Sequence, residues 1–275
     1  MTKVTKLGIV SMALLAAAGT ANATIFTLAD GNSTATVDTN AIGGTRPGMN
    51  SWVVDGTNQL FSQWFWYRVG STGPEQRINS LPIAGEFSSN TNFDARHDTM
   101  SVLYNGGTGL SIEIRFTLRG GSAGSNRSDI AEQIRITNTT GAPLSMSFFQ
   151  YSDFDLGGTT LDDFVGILSP NVVRQEDVAS GIGINETVVT PPANNWEVNT
   201  FPVTISKLDD ANTDNLNGNG GPLIGPADFT WAYQWNITIP ANRTFIISKD
   251  KSITPAPGAM ALLGLGGLAM ARRRR

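Results

Sequence analysis

The stretch "SIEIRFTL", residues 111–118, decides the fold class of this chain. Its four apolar side chains fall on one face of an extended strand, and Glu113 and Arg115 fall on the other, which is the two-residue period of a half-buried antiparallel strand. Residues 233–248 predict a hairpin around Pro240. Further apolar runs, separated by Gly- and Asn-rich turns, recur at residues 24–29, 51–56, 60–70, 100–107, 132–141 and 144–158. We therefore predict an all-β protein, an antiparallel β-sandwich that forms a single domain.

Composition narrows the functional classes. The chain has 275 residues with 30 glycines and no cysteine, so disulfides, thiol nucleophiles and cysteine-ligated metals are excluded. The net charge is −4, and the body is more acidic than this because Lys3, Lys6 and the final four arginines lie outside the acidic stretch from Asp30 to Asp250. Nucleic acid is not expected as a partner, since binding its phosphates needs a basic face.

The N-terminus carries the pattern of an export signal. Two lysines precede an apolar run at residues 7–18, and Ala21 and Ala23 have the A-x-A spacing of a signal peptidase site. We predict that residues 1–23 are a signal peptide and that the β-sandwich domain occupies residues 24–253.

The C-terminus has a short apolar segment followed by a basic cluster. Residues 258–271 are uncharged, and as a helix they would extend about 21 Å, less than a hydrocarbon core of ~30 Å. The segment can still span a thinned bilayer, and the basic cluster then stays on the cytoplasmic side and holds the body outside. The cluster consists of Arg272, Arg273, Arg274 and Arg275. We predict a short C-terminal hydrophobic helix that contacts the membrane at least transiently.

Residues 254–275 resemble the PEP-CTERM sorting signal. The resemblance rests on a Pro-x-Pro motif, a short segment rich in Leu and Gly and a terminal arginine cluster, in that order. The motif consists of Pro255, Ala256, Pro257 and Gly258, and it is similar to a Pro-Ala-Pro-Gly variant in which Ala replaces the name-giving Glu. The resemblance implies that an exosortase-type transpeptidase cuts near the motif, in a cell that makes exopolysaccharide.

The stretch "FFQYSDFDLGG", residues 148–158, is also similar to a group of uncharacterised exported proteins with this sorting signal. That resemblance implies one β-rich domain and brings no activity with it. The two resemblances together imply an address at the cell envelope or in the extracellular matrix.

An acidic stretch at residues 152–164 is a candidate metal site. Strand geometry puts Asp153 and Asp155 on one face, and Asp162 and Asp163 follow after a Gly-Gly turn. These carboxylates can hold Ca²⁺, which takes six to eight oxygen ligands. Alternatively they stabilise a turn on the solvent face, or act as the acid and the nucleophile of a glycosidase.

A second acidic loop begins with the spacing of an EF-hand, with Asp210, Asn212 and Asp214 at every second position. Asn215 stands in place of the glycine of that motif, and Gly221 stands in place of its bidentate glutamate. The alternatives are a looser Ca²⁺ loop and a flexible polar loop.

The remaining candidate residues are one histidine and a pair of tryptophans. His97 is the single histidine and no G-x-S-x-G elbow is present, so neither a His-dependent triad nor a His-rich zinc site is predicted. Trp64 and Trp66 share one face of a predicted strand. They form either a sugar-stacking platform or part of the core.

Together these patterns predict an exported, non-enzymatic protein that is displayed at the cell envelope or in the matrix and processed through its tail. A polysaccharide-binding module, Ca²⁺-dependent through the acidic loops, is the alternative, and a glycoside-acting enzyme is the third. No cofactor other than Ca²⁺ is expected, and the expected partners are an exosortase-type enzyme and exopolysaccharide.

Overall fold

The structure, a computed structural model, describes residues 25–41, 46–107, 109–221 and 223–256. The predicted signal peptide, with Ala21 and Ala23, lies outside the described residues. The tail from Pro257 onward lies outside them as well, including Gly258, the predicted hydrophobic helix and the four terminal arginines. Within the described part of the chain, no helix is long and apolar enough to cross a membrane.

The described residues form eighteen β-strands and one α-helix, α1 (Val203–Leu208). The strands are β1 (Ile25–Asp30), β2 (Ser33–Asp38), β3 (Gly48–Val54), β4 (Thr57–Asn58), β5 (Ser62–Val69), β6 (Gln76–Arg77), β7 (Ile83–Ser89), β8 (Thr99–Asn105), β9 (Leu110–Gly120), β10 (Ser128–Asn138), β11 (Leu144–Asp153), β12 (Asp163–Ser169), β13 (Val172–Asp177), β14 (Ile182–Thr190), β15 (Asn195–Thr200), β16 (Ile224–Ala227), β17 (Phe229–Ile239) and β18 (Thr244–Pro255). This confirms the predicted all-β fold.

The strands form two nine-stranded sheets that pack as a sandwich. The first sheet has the order β1-β2-β3-β5-β11-β17-β15, with β4 paired to β3 and β6 paired to β5. The second sheet has the order β16-β12-β13-β14-β18-β10-β9-β8-β7. Neighbouring strands are antiparallel, as the alternating sequence patterns predict.

The core forms where the inner faces of the two sheets meet. On β9, Ile112, Ile114 and Phe116 are fully buried, which confirms the face predicted from residues 111–118. Phe116 of the second sheet lies 6.3 Å, between ring centroids, from Phe65 of the first. Burying such side chains stabilises the fold by about 1.5–3 kcal/mol each, so these contacts hold the sheets face to face without disulfides.

Four charged side chains lie in the middle of this apolar core. Glu132 on β10, Glu186 on β14, and Lys249 and Lys251 on β18 are each no more than 2% exposed. We call them the buried charge cluster. The Lys249 ammonium lies 2.6 Å from Glu132 Oε2 and 3.1 Å from Glu186 Oε1. Because two positive charges face two negative charges, the cluster is neutral as a whole and burial does not leave an unpaired ion.

The last strand runs into the predicted sorting motif. Pro255 ends β18 and pairs with Ile182 on β14, and the main-chain N–H of Ala256 donates to the carbonyl of Gly181 at 2.7 Å. Ala256 is buried at 4% exposure. The folded part of the chain therefore continues beyond residue 253, where the domain was expected to end.

Candidate active site

Three carboxylates converge at one end of the first sheet. Asp153 is the last residue of β11, Asp155 follows two residues later, and Asp228 directly precedes β17. Since β11 and β17 are antiparallel neighbours, with Asp153 opposite Thr230, the end of one strand meets the start of the other. One carboxylate oxygen from each of the three aspartates lies within 4.8 Å of those of the other two. We call this group the aspartate trio.

Hydrogen bonds fix the position of Asp153. The Tyr151 hydroxyl donates to Asp153 Oδ2 at 3.0 Å, and the main-chain N–H of Phe61 donates to the Asp153 carbonyl at 3.0 Å. Asp153 is only 2% exposed. The first bond restrains the carboxylate and the second restrains the main chain that carries it, and an acid or base needs such positioning in order to meet a substrate atom.

A cavity of about 300 Å³ opens beside Asp153. Phe61 and Phe201 form an apolar wall, with their ring centroids 6.2 Å apart in an edge-on arrangement. The Arg46 guanidinium lies over the Phe61 ring, 3.5 Å from its centroid, and places a positive charge at the same cavity. The cavity thus combines an aromatic surface, a cation and a buried carboxyl group, and its size suits a small polar ligand or one unit of a larger one.

Burial shifts the acidity of the aspartate trio. It raises the pKa of Asp153 to about 7, and the charges of Asp155 and Asp228 push in the same direction. Burial and the charge of Asp228 raise the pKa of Asp155 to about 6, with Arg46 opposing them. Burial also raises the pKa of Asp228. At neutral pH the trio therefore contains one carboxyl group that is about half protonated beside one that is mostly ionised.

The structure separates the other predicted metal ligands from the trio. Asp163 begins β12 in the second sheet, and Asp162 precedes it. Asp210 accepts hydrogen bonds from the main-chain and side-chain nitrogens of Asn212, at 2.7 and 2.8 Å, so this loop is closed by its own contacts. The carbonyl of Asp214 accepts a hydrogen bond from the Arg68 guanidinium at 2.6 Å. Of the predicted set, only Asp153 and Asp155 belong to the trio.

The two predicted stacking tryptophans lie under other side chains. Trp64 and Trp66 are each 1% exposed, so neither offers a ring face to solvent in this structure. The Trp66 indole N–H donates to Asp209 Oδ1 at 2.9 Å, and the Arg77 guanidinium lies 5.2 Å from its ring. Asp209 belongs to residues 201–221, which we call the strap. The packing alternative for these tryptophans fits their burial.

Sequence reasoning missed Asp228, Arg46 and Phe201, whereas Phe61 belongs to the aromatic run from which a sugar-stacking platform was predicted. Asp228 stands alone before an apolar strand and has no acidic neighbour in sequence that would mark it as part of a cluster. Only the β11–β17 pairing brings it to Asp153. His97 lies elsewhere, because its ring nitrogen Nδ1 is 2.7 Å from the hydroxyl of Ser88 on β7 in the second sheet.

No protein-family model matches the sequence, and no curated protein matches it. Solved structures do match the fold. A putative aldose 1-epimerase from Escherichia coli K12 has a TM-score of 0.51 at 12% identity, and the match covers 85% of this chain and 99% of that one. The Slr1438 protein from Synechocystis sp. PCC 6803 has a TM-score of 0.52 at 9% identity, covering 88% of this chain and 100% of that one.

A bacterial glucoamylase solved in complex with acarbose also shares the fold, with a TM-score of 0.53 at 7% identity. The match covers 90% of this chain and 36% of that one, so this chain spans about a third of the glucoamylase. At such identities the comparisons establish a common fold and nothing finer.

The prediction of a non-enzymatic, passively displayed protein is wrong. It treated the β-sandwich as a scaffold without chemistry, whereas the same fold occurs in a protein described as an aldose epimerase and in a glucoamylase. The fold is therefore no argument against catalysis. Whether this chain is a catalyst therefore has to be argued from its own residues, and the aspartate trio is the group whose chemistry bears on it.

Proposed function

We propose that the protein is a carbohydrate-acting enzyme whose acid and base are Asp153 and Asp155. The observation that carries this proposal is the aspartate trio, whose carboxylate oxygens lie within 4.8 Å of one another and whose Asp153 lines a cavity of about 300 Å³. The fold neighbours that are named for sugar chemistry support the substrate class without deciding it.

Reaction at a sugar's anomeric carbon needs one group that gives a proton and another that accepts one or attacks the carbon. Asp153, with a pKa raised to about 7 by burial, is the donor, and Asp155, with a pKa of about 6, is the ionised partner. Asp228 adds negative charge that keeps the Asp153 proton in place. Close carboxylate spacing, about 5 Å, is typical of retaining rather than inverting glycoside hydrolysis.

The cavity wall supplies substrate contacts. A sugar ring has one face of C–H groups, and the rings of Phe61 and Phe201 offer an apolar surface for it. The Arg46 guanidinium donates to ring hydroxyls or to an acidic sugar's carboxylate. We further propose that the enzyme acts outside the cell on an exopolysaccharide or its fragments, because the predicted signal peptide directs the chain there.

The test is turnover by the purified protein on three substrate classes: exopolysaccharide, aryl glycosides and free aldoses. New reducing ends report cleavage, and the proton NMR signals of the two anomers report epimerisation. We expect Asp153→Asn and Asp155→Asn to lower the rate at least about 100-fold, which is the usual contribution of an acid or a base.

Asp210→Asn is the matched control, because it makes the same change at an exposed aspartate of the strap. It should keep the rate of the unaltered protein. Full activity in Asp153→Asn would contradict the assignment of the acid. Binding of a glycan by folded protein without turnover of any of the three classes would contradict the proposal of an enzyme.

A further inference from the structure

Four buried oxygens near the start of β12 lack a hydrogen-bond donor. They are Asp162 Oδ1, both carboxylate oxygens of Asp163 and Gln175 Oε1, and no donor among the described residues meets them at both a hydrogen-bond distance and a hydrogen-bond angle. Asp163 is 1% exposed and Gln175 is fully buried. Since nearly all buried polar atoms in folded proteins have a partner, buried acceptors without one on residues at and beside the β12–β13 pair point to a bound species.

The β12–β13 ladder brings the side chains of Asp163 and Gln175 together, and Asp162 directly precedes Asp163. Asp163 pairs with Asp177, and Val165, two residues along, pairs with Gln175. Residues two apart on a strand share a face, so the side chains of Asp163 and Gln175 are neighbours on the inner side of the second sheet. The Gln175 amide nitrogen donates to the carbonyl of Phe154 at 2.7 Å, which fixes the side chain and leaves its oxygen free.

The surroundings of Asp163 carry negative charge. Burial raises the pKa of Asp163, the polar contact with the Gln175 side chain opposes this shift, and the carboxylates of Asp177, Asp162 and Asp155 push in the same direction as burial. Asp177 is already occupied, because it accepts hydrogen bonds from the main-chain N–H groups of Ala179 and Ser180 at 2.7 and 3.0 Å. It therefore contributes charge rather than a free ligand atom.

We propose that Asp162, Asp163 and Gln175 form a Ca²⁺ site. Carboxylate and amide oxygens are the side-chain ligands that Ca²⁺ takes, and its flexible coordination of six to eight oxygens accepts an irregular set completed by water or main-chain carbonyls. Mg²⁺ fits less well, because it demands near-octahedral geometry and gives up its water reluctantly. Of the four aspartates predicted from the sequence as Ca²⁺ ligands at residues 152–164, this site uses only Asp162 and Asp163. It also includes Gln175, which no sequence motif marked.

Thermal unfolding of the purified protein tests this site. Melting curves are recorded in EDTA, in millimolar Ca²⁺ and in Mg²⁺ at equal ionic strength. We expect saturating Ca²⁺ to raise the melting temperature by about 5 °C or more, and Mg²⁺ to have less effect. Calorimetric titration with Ca²⁺ should give one site per chain.

Variants locate the ion. Asp163→Asn should melt no lower than the unaltered protein in EDTA, because the amide has the size of the carboxyl group and cannot carry a buried negative charge. It should also lose the rise produced by Ca²⁺, and Gln175→Leu should weaken that rise. Asp210→Asn is the control and should keep the full rise.

Three results would overturn the site. The first is no rise with Ca²⁺ in the unaltered protein, together with stability that falls as Asp163 loses its proton, which would mean that a proton occupies the place assigned to Ca²⁺. The second is a rise that survives Asp163→Asn but not Asp228→Asn, which would place the ion at the aspartate trio. The third is a rise lost in Asp210→Asn. None of these results depends on whether the protein turns over a carbohydrate.

Discussion

Replacing Lys249 by methionine tests how the core of the sandwich is held. Lys249 is fully buried within the buried charge cluster and contacts Glu132 at 2.6 Å and Glu186 at 3.1 Å. Burial alone would lower the pKa of Lys249, but these two carboxylates outweigh it and raise the pKa, so the lysine is charged at neutral pH. Methionine keeps a similar volume and removes the charge together with the hydrogen bond to Gln150 Oε1, so the loss reports the polar contacts of Lys249 rather than its packing.

The expected loss of stability follows from the buried charges that remain in the cluster. Without Lys249, Glu132 and Glu186 share only Lys251, and one negative charge stays buried without compensation. Removing one partner of a buried ion pair costs about 3–5 kcal/mol, mainly because the remaining charge cannot reach water. For a chain of this size about 1 kcal/mol lowers the melting temperature by ~2–4 °C, so we expect a fall of roughly 6–20 °C.

Urea unfolding and thermal melting of Lys249→Met measure this loss, with two comparisons. Lys249→Met combined with Glu132→Gln leaves a neutral Lys251–Glu186 pair and should recover at least half of it. Arg135→Gln breaks the exposed pair with Glu113 and should cost less than about 1 kcal/mol. A single-variant cost near that of Arg135→Gln, or a double variant less stable than Lys249→Met, would refute this account of the cluster.

Three further predictions concern acid, activity and backbone. Burial would raise the pKa of Glu186, but Lys249 and Lys251 outweigh it and lower this pKa to about 2. Below the ordinary pKa of 4.5 the unfolded chain therefore binds more protons than the folded chain, so the urea midpoint should fall as the pH drops from 4.5 towards 2. A constant midpoint over this range would contradict the prediction. The pH profile of kcat/KM should peak between about 6, where Asp155 ionises, and about 7, where Asp153 loses its proton; a rate that stays maximal at pH 9 excludes Asp153 as the acid. Gly48→Ala should cost about 3 kcal/mol in urea unfolding, because the added Cβ would lie 2.2 Å from a carbonyl oxygen of β5 and the residue has a φ of +99°. Gly56→Ala is the control, because the space around that residue is open. A smaller loss in Gly48→Ala than in Gly56→Ala would contradict the clash.

The strand faces could be predicted from the sequence, but not the strand partners. The alternation in residues 111–118 specifies which side chains point inward, and β9 buries that face. The hairpin predicted around Pro240 is wrong, because β17 pairs with β11 and β15 in the first sheet, whereas β18 pairs with β10 and β14 in the second. The turn at Pro240 passes from one sheet to the other. Alternation is satisfied by either arrangement, since it fixes faces and leaves the pairing to long-range contacts.

The same limit explains why the buried charge cluster was not predicted. Lys249 and Lys251 occupy the inward positions of a polar stretch, "SKDKS", where a lysine is normally expected to face water. Their burial is possible only because Glu132 pairs with Lys249 across β10 and Glu186 pairs with Lys251 across β14. Those partners lie far away in sequence, so no local pattern shows that the charges cancel.

In the candidate active site, the strap explains both the burial of Trp66 and the presence of a cavity. Its Asn- and Gly-rich sequence favours a flexible loop, yet its polar side chains fasten it to the first sheet. Asp209 accepts hydrogen bonds from Trp66 and Arg77 at 2.9 and 2.8 Å, and Asn215 accepts one from the Arg68 guanidinium at 2.8 Å. The same segment places Phe201 against the cavity beside the aspartate trio. The segment that covers Trp66 thus also forms one wall of the proposed substrate site. The strap is therefore the common cause of the burial of Trp66 and of the pocket beside Asp153.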